Sequence, residues 1–425
     1  MTKKTPRKKI RRIPTKTLNR GLAAAKTAKQ DEFYTQYIDI QNEVEAYLEF
    51  DADTFRNKIV YCNCDDPFES NFFKYFAANF NKLGLKKLIT TSYDGSPIAG
   101  QLTIFPEYND GNGVRKKPKA LAVILDHVKD EDGDGAANVT DVEIFLKRNK
   151  AARNGLKADA NYPGGDFRSS ECVALLKEAD IVVTNPPFSL FREYVAQLMG
   201  HGKKFIIVGP KNAITYKEIF PLIKDIRLWL GTGFANGNAY FSIPAESSRE
   251  FADGVYDEST GLVKFRNVGW FTNLDHGRRH QQLPLMTMSE NLKFSKHKEI
   301  RGKAAYDQYD NFAAIEVPFT DAIPSDYDGI MGVPVTFLDR YNPDQFEILG
   351  YEHSYDLHVR DYPPQIQVDT SGKRSKVTKL NDACAINIQE PPPGQTYYIV
   401  EDELFIAPYK RLLIRRRIPT KEKTT

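Results

Sequence analysis

Short apolar runs and helix-spaced apolar positions alternate along the first two thirds of the chain. Runs of strand length occur in "NKIVYCNC", "KKLITTSYD", "DIVVTN" and "KKFIIVGP", with shorter ones in "IRLWLGTG" and "VGWFTNLD". Segments between them, such as "LFREYVAQLM", repeat apolar residues at helical spacing. This alternation predicts an α/β fold with a mostly parallel sheet and helices on both of its faces. Ahead of the first run, "DEFYTQYIDIQNEVEAYLEF" predicts a turn followed by a helix.

The pattern changes after about residue 290. Segments such as "MGVPVTFLDRYNPDQFEILGY" and "TYYIVEDELFIAPYKRLLIRRR" are rich in aromatic residues, β-branched residues and prolines, and no β/α unit repeats in them. We therefore predict an α/β domain over residues 31–290 and a smaller, largely β domain over residues 291–425.

The composition is that of a globular protein. With 425 residues, of which 41% are hydrophobic, the chain can bury a large core. No apolar run reaches the length of a membrane span and the N-terminus has no apolar signal core, so we expect a cytoplasmic protein that does not contact membranes. The four cysteines show neither zinc-type nor redox spacing, and we interpret Cys62 and Cys64 as buried thiols.

The charge is unevenly distributed. Residues 1–30 contain eleven Lys or Arg and no acid, whereas the formal net charge of the whole chain is +3, so the rest carries −8. A second basic cluster, "YKRLLIRRRIPTKEK", stands near the C-terminus. A basic, flexible arm over residues 1–30 either binds nucleic acid through its phosphates or is a solvated tail without a specific partner.

Candidate chemistry lies where two of the predicted strands end. "DDPFES" follows one apolar run and Asn185-Pro186-Pro187-Phe188 follows another, and in parallel sheets ligands bind outside such carboxyl ends. The two prolines fix the backbone and supply no N–H, so the carbonyl of Pro186 and the amide oxygen of Asn185 form a rigid pair of acceptors.

This pair suits an adenine amine, whose lone pair is delocalised into the ring. Two acceptors that hold the amine hydrogens favour a tetrahedral nitrogen, and Phe188 can stack on a base rotated out of a duplex. The alternative is a structural helix start, with Asn185 as the cap and proline in the first turn.

A family resemblance adds to these observations. The segments "DEFYTQYIDI", "VYCNCDDPFESNFFKYFA", "GDFRSSE" and "DIVVTNPPFSLF", followed by "ITYKEIF", "WLG" and "GVPVTFL", closely resemble the EcoRI-type adenine-specific DNA methyltransferases from Asp31 to about Tyr351. The resemblance implies a Rossmann-like S-adenosyl-L-methionine-dependent methyltransferase sheet with a C-terminal target-recognition region. It also implies a monomeric enzyme that flips and methylates an adenine of double-stranded DNA and that belongs to, or derives from, a restriction-modification system. Whether a cognate restriction endonuclease is its partner stays open at this point.

The resemblance also assigns site residues. The catalytic motif falls on Asn185, Pro186, Pro187 and Phe188. "EFYTQ" resembles the segment that holds the methionine end of the cofactor, "CNCDDPF" takes the place of the glycine-rich cofactor loop, and "DF" resembles the pair that receives the cofactor's adenine. The cofactor-binding residues implied are Phe33, Tyr34, Thr35, Asp65, Asp66, Pro67, Phe68, Asp166 and Phe167.

Two features depart from the wider group of adenine methyltransferases. Glycines are expected after the first strand, where this chain has Glu69, Ser70 and Asn71. The acid that would bind the ribose hydroxyls has no clear counterpart, and Asp94 is a candidate whose alternative is a solvated loop acid.

The stretch from about residue 120 to 161 has no evident counterpart in the EcoRI-type family, and we interpret it as an insertion. Its acids Asp130, Asp132, Asp134 and Asp141 have the spacing of a calcium loop, with Asp at the position of the usual last Glu. A bare acidic turn is the alternative, and we assign no metal site.

Other functions stay open at this point. Asn-Pro-Pro-aromatic motifs also occur in enzymes that methylate protein glutamine amides or a guanine amine in ribosomal RNA. An inactive DNA-binding relative is a further alternative, against which the intact Asn185-to-Phe188 motif argues.

Overall fold

The computed structural model describes residues 34–65, 70–93, 120–135, 138–148, 153–234, 237–242, 254–352 and 358–417. The predicted arm over residues 1–30 lies outside these ranges, as do Phe33, Asp94 and the stretch that contains Asp66, Pro67 and Phe68. Across the ranges described, no helix has both the length and the apolar character needed to cross a membrane.

Eight α-helices lie within the described residues. They are α1 (Tyr37–Phe50), α2 (Asn71–Ala78), α3 (Phe80–Leu83), α4 (Val139–Arg148), α5 (Ser170–Glu178), α6 (Phe191–Gly200), α7 (Phe220–Lys224) and α8 (Met288–Phe294).

Twenty-one β-strands lie in the same ranges. They are β1 (Tyr34–Thr35), β2 (Ile59–Cys62), β3 (Lys87–Thr91), β4 (Leu121–Leu125), β5 (Arg153–Gly155), β6 (Ile181–Thr184), β7 (Lys204–Pro210), β8 (Trp229–Leu230), β9 (Ala239–Ser242), β10 (Tyr256–Asp257), β11 (Leu262–Phe265), β12 (Val268–Thr272), β13 (Ala314–Glu316), β14 (Ile330–Pro334), β15 (Phe346–Tyr351), β16 (Gln365–Val368), β17 (Arg374–Val377), β18 (Ile386–Ile388), β19 (Tyr397–Val400), β20 (Glu403–Ile406) and β21 (Arg411–Arg416).

The largest sheet has eight strands in the order β5-β4-β3-β2-β6-β7-β12-β8. Its centre, β3-β2-β6-β7, is parallel. The strands outside this centre pair antiparallel, on both sides. The prediction of an α/β sheet is confirmed, but the prediction that it is mostly parallel is wrong, because apolar runs reveal a buried strand without revealing its direction.

Helices cover both faces of this sheet, as predicted. The central strands β2 and β6 are buried at every residue, which is why they read as continuous apolar runs. One hydrophobic cluster joins alternate strand residues such as Val60 and Val183 to helices α1 and α2. The other cluster joins residues such as Tyr61 and Val182 to helices α5 and α6.

The chain beyond residue 290 is mainly β, in agreement with its sequence pattern. One four-stranded sheet has the order β13-β14-β21-β15, and a five-stranded sheet has the order β17-β16-β19-β20-β18. This region shares a hydrophobic cluster with the α/β part of the chain. Within that cluster, the ring centroids of Tyr351 and Phe220 lie 4.1 Å apart. The Tyr351 hydroxyl also donates to the carbonyl of Ile214. The division at residue 290 stays a prediction, because the two parts share one core.

The predicted turn at "EFYTQ" contains a strand. Tyr34 and Thr35 form β1, which pairs antiparallel with β9 in a small sheet of order β1-β9-β11-β10. A two-residue strand whose partner lies some 200 positions along the chain leaves no periodic signal in the sequence.

Candidate functional site

A cavity of about 620 Å³ opens at the carboxyl ends of β2 and β6. β2 lies between β3, which follows it along the chain, and β6, so this is the point where the strand order reverses. The cavity is within the size range of small-molecule sites. Its lining comprises Tyr34, Thr35, Cys64, Asp65, Ser70, Asn71, Phe72, Tyr93, Asn161, Tyr162, Pro163, Gly165, Asp166, Phe167, Arg168, Asn185, Pro187, Ser189 and Leu190.

Asp65 is held by hydroxyl groups from three elements. Its carboxylate accepts from the hydroxyl of Ser70 at 2.8 Å and from the hydroxyl of Thr184, and its backbone carbonyl accepts from Thr90 at 2.6 Å. Ser70 is also the N-cap of α2 and accepts from the N–H groups of Phe72 and Phe73. Asp65 is thereby fixed to β3, β6 and the start of α2.

The Asn-Pro-Pro-Phe segment follows β6 directly. Thr184 ends the strand, and the one-turn 3₁₀ helix Phe188–Leu190 leads into α6. Asn185 and Pro187 line the cavity, whereas Pro186 is buried and Phe188 does not belong to the lining. Phe188 is half-buried and packs on the hydrophobic cluster of α1 and α2.

The Tyr34-Thr35 strand forms one wall of the cavity. Thr35 is buried, and its hydroxyl has no hydrogen-bond partner among the described residues. The side-chain amide (Nδ2) of Asn71 donates to the Thr35 backbone carbonyl at 2.8 Å, which ties β1 to the start of α2. The wall therefore contains a buried hydroxyl, a group that can both donate and accept a hydrogen bond.

Another part of the cavity wall carries a bidentate ion pair between Asp166 and Arg168. Nε and Nη2 of Arg168 donate to the two carboxylate oxygens of Asp166 at 2.9 and 2.8 Å. Arg168 also donates to Glu193 of α6 at 3.1 Å, and its guanidinium lies 4.6 Å from the Tyr162 ring centre. The hydrogen bond with Asp166 is the largest cause of a raised Arg168 pKa. Phe167 is buried and meets Tyr194 edge-on at 4.9 Å.

Gly165 allows this wall to approach the sheet. Its φ is +77°, and a Cβ atom there would lie 1.9 Å from the carbonyl oxygen of Ser92, after β3. Only glycine has both the backbone freedom and the missing side chain that this approach requires.

Cys64 has a backbone conformation that is usual for glycine. Its φ is +64°, and its N–H is held at 2.8 Å by the side-chain oxygen of Asn63. A left-handed residue thus follows β2 where the sequence has no glycine. The prediction that both Cys62 and Cys64 are buried is correct for Cys62 alone, because Cys64 is half-buried and lines the cavity.

The acidic turn of the predicted insertion lies apart from this lining. The carboxylates of Asp130, Asp132 and Asp134 are exposed and have oxygens within 4.8 Å of one another. Asp130 accepts from the N–H groups of Gly133 and Gly135. Asp141 is buried and accepts from three backbone N–H groups, that of Asn138 contributing most to its lowered pKa.

Comparison with known proteins identifies the family. A family model described as "Adenine-specific methyltransferase EcoRI" matches residues 21–417. The chain belongs to this family. It is 40% identical to "Type II methyltransferase M.EcoRI" of Escherichia coli over 366 residues, which are 84% of this chain and 97% of that protein.

Two mycoplasma proteins are also similar. "Type II methyltransferase M.MpnI" of Mycoplasma pneumoniae is 32% identical over 328 residues, or 76% of this chain and 83% of the relative. "Type II methyltransferase M.MgeORF184P" of Mycoplasma genitalium is 35% identical over 334 residues, or 76% and 84%. No solved structure matches the chain significantly.

Membership of the EcoRI adenine-specific methyltransferase family confirms the resemblance and identifies the chain as a methyltransferase. Of the described residues assigned to the site, those that line one cavity are Tyr34, Thr35, Asp65, Asp166, Phe167, Asn185 and Pro187. Sequence reasoning did not assign Arg168, Tyr162 or Asn71, which also line it. Arg168 stands two positions after Asp166, and this i, i+2 spacing of opposite charges was the available signal.

Proposed function

We propose that this protein transfers the methyl group of S-adenosyl-L-methionine to the exocyclic amine of an adenine flipped out of double-stranded DNA. One observation carries the proposal: Asn185 and Pro187 of the Asn-Pro-Pro-Phe segment line the same cavity as Asp65, which follows β2, and Asp166, which lies in the loop before α5. The cavity therefore adjoins both a candidate cofactor wall and Asn185, the member of the candidate pair of acceptors that lines it.

The lining suits S-adenosyl-L-methionine. The volume is large enough for a nucleoside with an amino-acid side arm, and the Thr35 hydroxyl is a buried polar atom for which the described residues supply no partner. Thr35 and Tyr34 would hold the methionine end. Asp166 and Phe167 would hold the adenine, and the bidentate pair with Arg168 fixes the carboxylate plane at that end. When bound, the cofactor supplies a methyl group on a sulfonium.

Asn185 is the group on which the chemistry depends. Its side-chain carbonyl and the backbone carbonyl of Pro186 would each accept a hydrogen of the target amine and so localise the nitrogen lone pair. The amine must also be aligned with the methyl group, and two successive prolines after a buried strand keep the acceptors fixed. We assign Phe188 to binding of the target base. The base would stack on the part of the Phe188 ring that the hydrophobic core leaves exposed.

The architecture fits the same proposal. The parallel centre β3-β2-β6-β7, with ligand-lining loops at its carboxyl edge, supports a Rossmann-like methyltransferase domain over residues 31–290, with an insertion at about 120–161. We assign target recognition to residues 291–425 and DNA-phosphate binding to the arm over residues 1–30. A monomeric, cytoplasmic enzyme with a cognate restriction endonuclease completes the proposal.

The substrate class is tested by supplying labelled S-adenosyl-L-methionine with plasmid DNA, with RNA and with protein in separate reactions. The proposal predicts label in DNA alone, recovered as N6-methyladenine after digestion. Label in glutamine side chains or in guanine would support the other amino-methyltransferases that share the motif. Absence of transfer to any of the three, by protein that binds DNA, would identify an inactive relative.

The cofactor site is tested without turnover through Cys64. None of the four cysteines, all of which lie in the described ranges, forms a disulfide, and the other three, Cys62, Cys172 and Cys384, are buried. Alkylation of the native protein, followed residue by residue with mass spectrometry, should modify Cys64 first. S-adenosyl-L-homocysteine should slow that modification several-fold, and a rate that is unchanged at saturating ligand would place the cofactor elsewhere.

A further inference from the structure

The five-stranded sheet of the C-terminal region ends in an exposed basic hairpin. We define the basic hairpin as strands β16 and β17 with the turn between them, residues 365–377. β17 lies at the edge of the sheet and pairs only with β16 among the described strands. The turn is closed by Asp369, whose carboxylate accepts from the N–H groups of Ser371 and Lys373.

Three cations project from this hairpin into solvent. Lys373, Arg374 and Lys376 are all exposed. Arg374 and Lys376 are two positions apart on β17, so their side chains share one face of the sheet. Asp369 is the hairpin's own acid, and its carboxylate is engaged by the turn.

The charges of the hairpin differ from those of the neighbouring C-terminal strand. On β21, Arg411 pairs with Glu316, Arg415 with Glu347 and Arg416 with Asp328. That strand, which looks strongly basic in sequence, is thus largely neutralised by acids on other strands of its sheet and, for Arg416, by Asp328 just before β14. Within the described part of the chain, the hairpin cations form no ion pair with a carboxylate, so their charge is available to a partner.

We propose that the basic hairpin binds the phosphate backbone of duplex DNA through Lys373, Arg374 and Lys376. The inference rests on the proposed function, because it takes DNA as the substrate. A two-stranded β-ribbon fits the width of the DNA major groove, and cations at its rim then meet phosphates. Flexible exposed side chains that lack a fixed partner hold no rigid geometry against base edges, so the contact is with the backbone.

Lysines on edge strands also have another use, because charge at an edge prevents pairing with a second sheet. The two roles separate experimentally. The test variant is the full chain with Lys373→Glu, Arg374→Glu and Lys376→Glu, which keeps the edge charged and therefore soluble. The matched control is Lys58→Glu, Lys82→Glu and Lys86→Glu. These three cations are exposed and do not line the cavity: Lys58 and Lys86 directly precede β2 and β3, and Lys82 lies on α3.

Binding is measured by fluorescence anisotropy on two duplexes of equal length, one that the wild-type protein methylates and one of random sequence. The salt concentration is varied from about 50 to about 200 mM, a range over which the contribution of phosphate contacts to affinity changes strongly. For the hairpin variant, the slope of log affinity against log salt should fall by about two to three units, since each phosphate contact contributes about 0.9. Affinity should fall alike on both duplexes. The control should match the wild type.

Equal slopes for the wild type and the hairpin variant would overturn the inference, as would a loss confined to the methylated duplex, which would mean base reading. S-adenosyl-L-homocysteine binding by the hairpin variant serves as the check on folding and should equal that of the wild type. A wild-type protein that methylates no DNA would refute the proposed function, and that result is independent of the hairpin variant.

Discussion

The hydroxyl of Thr184, the last residue of β6, donates to the carboxylate of Asp65, which follows β2. The same hydroxyl also contacts the backbone carbonyl of Asn63, so one buried oxygen joins the carboxyl ends of the two strands at which the order of the sheet reverses. Asn185 is the next residue along the chain. Thr184 is therefore a positioning residue between the candidate cofactor loop and the candidate catalytic acceptor.

Thr184→Val should lower kcat by about tenfold to a hundredfold, since small displacements of an aligned acceptor have effects of this size. The isosteric change removes the hydroxyl while filling the same space, and it leaves an oxygen of Asp65 without its donor. Steady-state kinetics on plasmid DNA measure the effect. Thr184→Ser, which restores the donor, should recover most of the rate, and a Ser variant as slow as the Val variant would exclude the hydrogen bond as the cause.

Gly165→Ala should destabilise the protein by at least about 2 kcal/mol, because a non-glycine residue at positive φ is strained and the new methyl group would overlap the Ser92 carbonyl. Cofactor affinity should fall too, since the loop carries Asp166. Thermal unfolding with and without S-adenosyl-L-homocysteine measures both. Gly155→Ala is the control, because a Cβ atom there meets nothing within 4 Å. Equal unfolding temperatures for the two variants would contradict the predicted overlap.

Arg168→Ala should raise the dissociation constant of S-adenosyl-L-homocysteine about tenfold, because it leaves the buried Asp166 carboxylate without its bidentate partner. Arg168→Lys keeps the charge but cannot form two parallel hydrogen bonds, so it should lie between the Ala variant and the wild type. Isothermal titration calorimetry gives the constants. A Lys variant that binds as the wild type does would mean that charge alone is sufficient.

Asp166→Ala should weaken cofactor binding by about 1 to 3 kcal/mol, the cost of leaving a buried amine unpaired. The same titration measures it. Wild-type affinity in this variant would show that the loop does not receive the cofactor's adenine.

Asp39→Asn should stabilise the protein at neutral pH. Burial raises the Asp39 pKa from 3.8 to about 6. Folding therefore opposes ionisation, and stability is lost as the pH rises from about 4 to about 6. Because the carboxyl group is half-buried and partly screened, we expect a gain of about 1 kcal/mol at pH 7.5 that disappears below pH 4. Urea unfolding at both pH values tests this, and an equal gain at both would exclude ionisation as the cause.

The central strands were predictable because burial on both faces leaves continuous apolar runs such as "IVVT" in β6. The direction of β12 was not, because an apolar run carries no information on parallel or antiparallel pairing. The shared core of Phe220 and Tyr351 also escaped prediction, since a change of pattern at residue 290 does not show whether the two parts pack together.

The site was predictable where motif residues follow strands, as Asp65 and Asn185 do. It was not predictable where tertiary contacts determine the role of a side chain. Cys64 takes a glycine-like conformation that its residue type disfavours, and the side-chain oxygen of Asn63 stabilises it by accepting from its N–H and its thiol. Likewise, the pairing of Arg168 with Asp166 depends on a loop whose close approach to Ser92 only Gly165 allows.

The central claim is that Asn185 supplies the acceptor for methyl transfer to adenine within this cavity. The most direct measurement compares Asn185→Ala with the wild type in single-turnover transfer of labelled methyl groups to duplex DNA, with cofactor and DNA dissociation constants measured on the same preparations. The account predicts a rate reduced by at least about a thousandfold, with both constants within a few-fold of the wild type, because the acceptor acts mainly in the transition state. An unchanged transfer rate would contradict it.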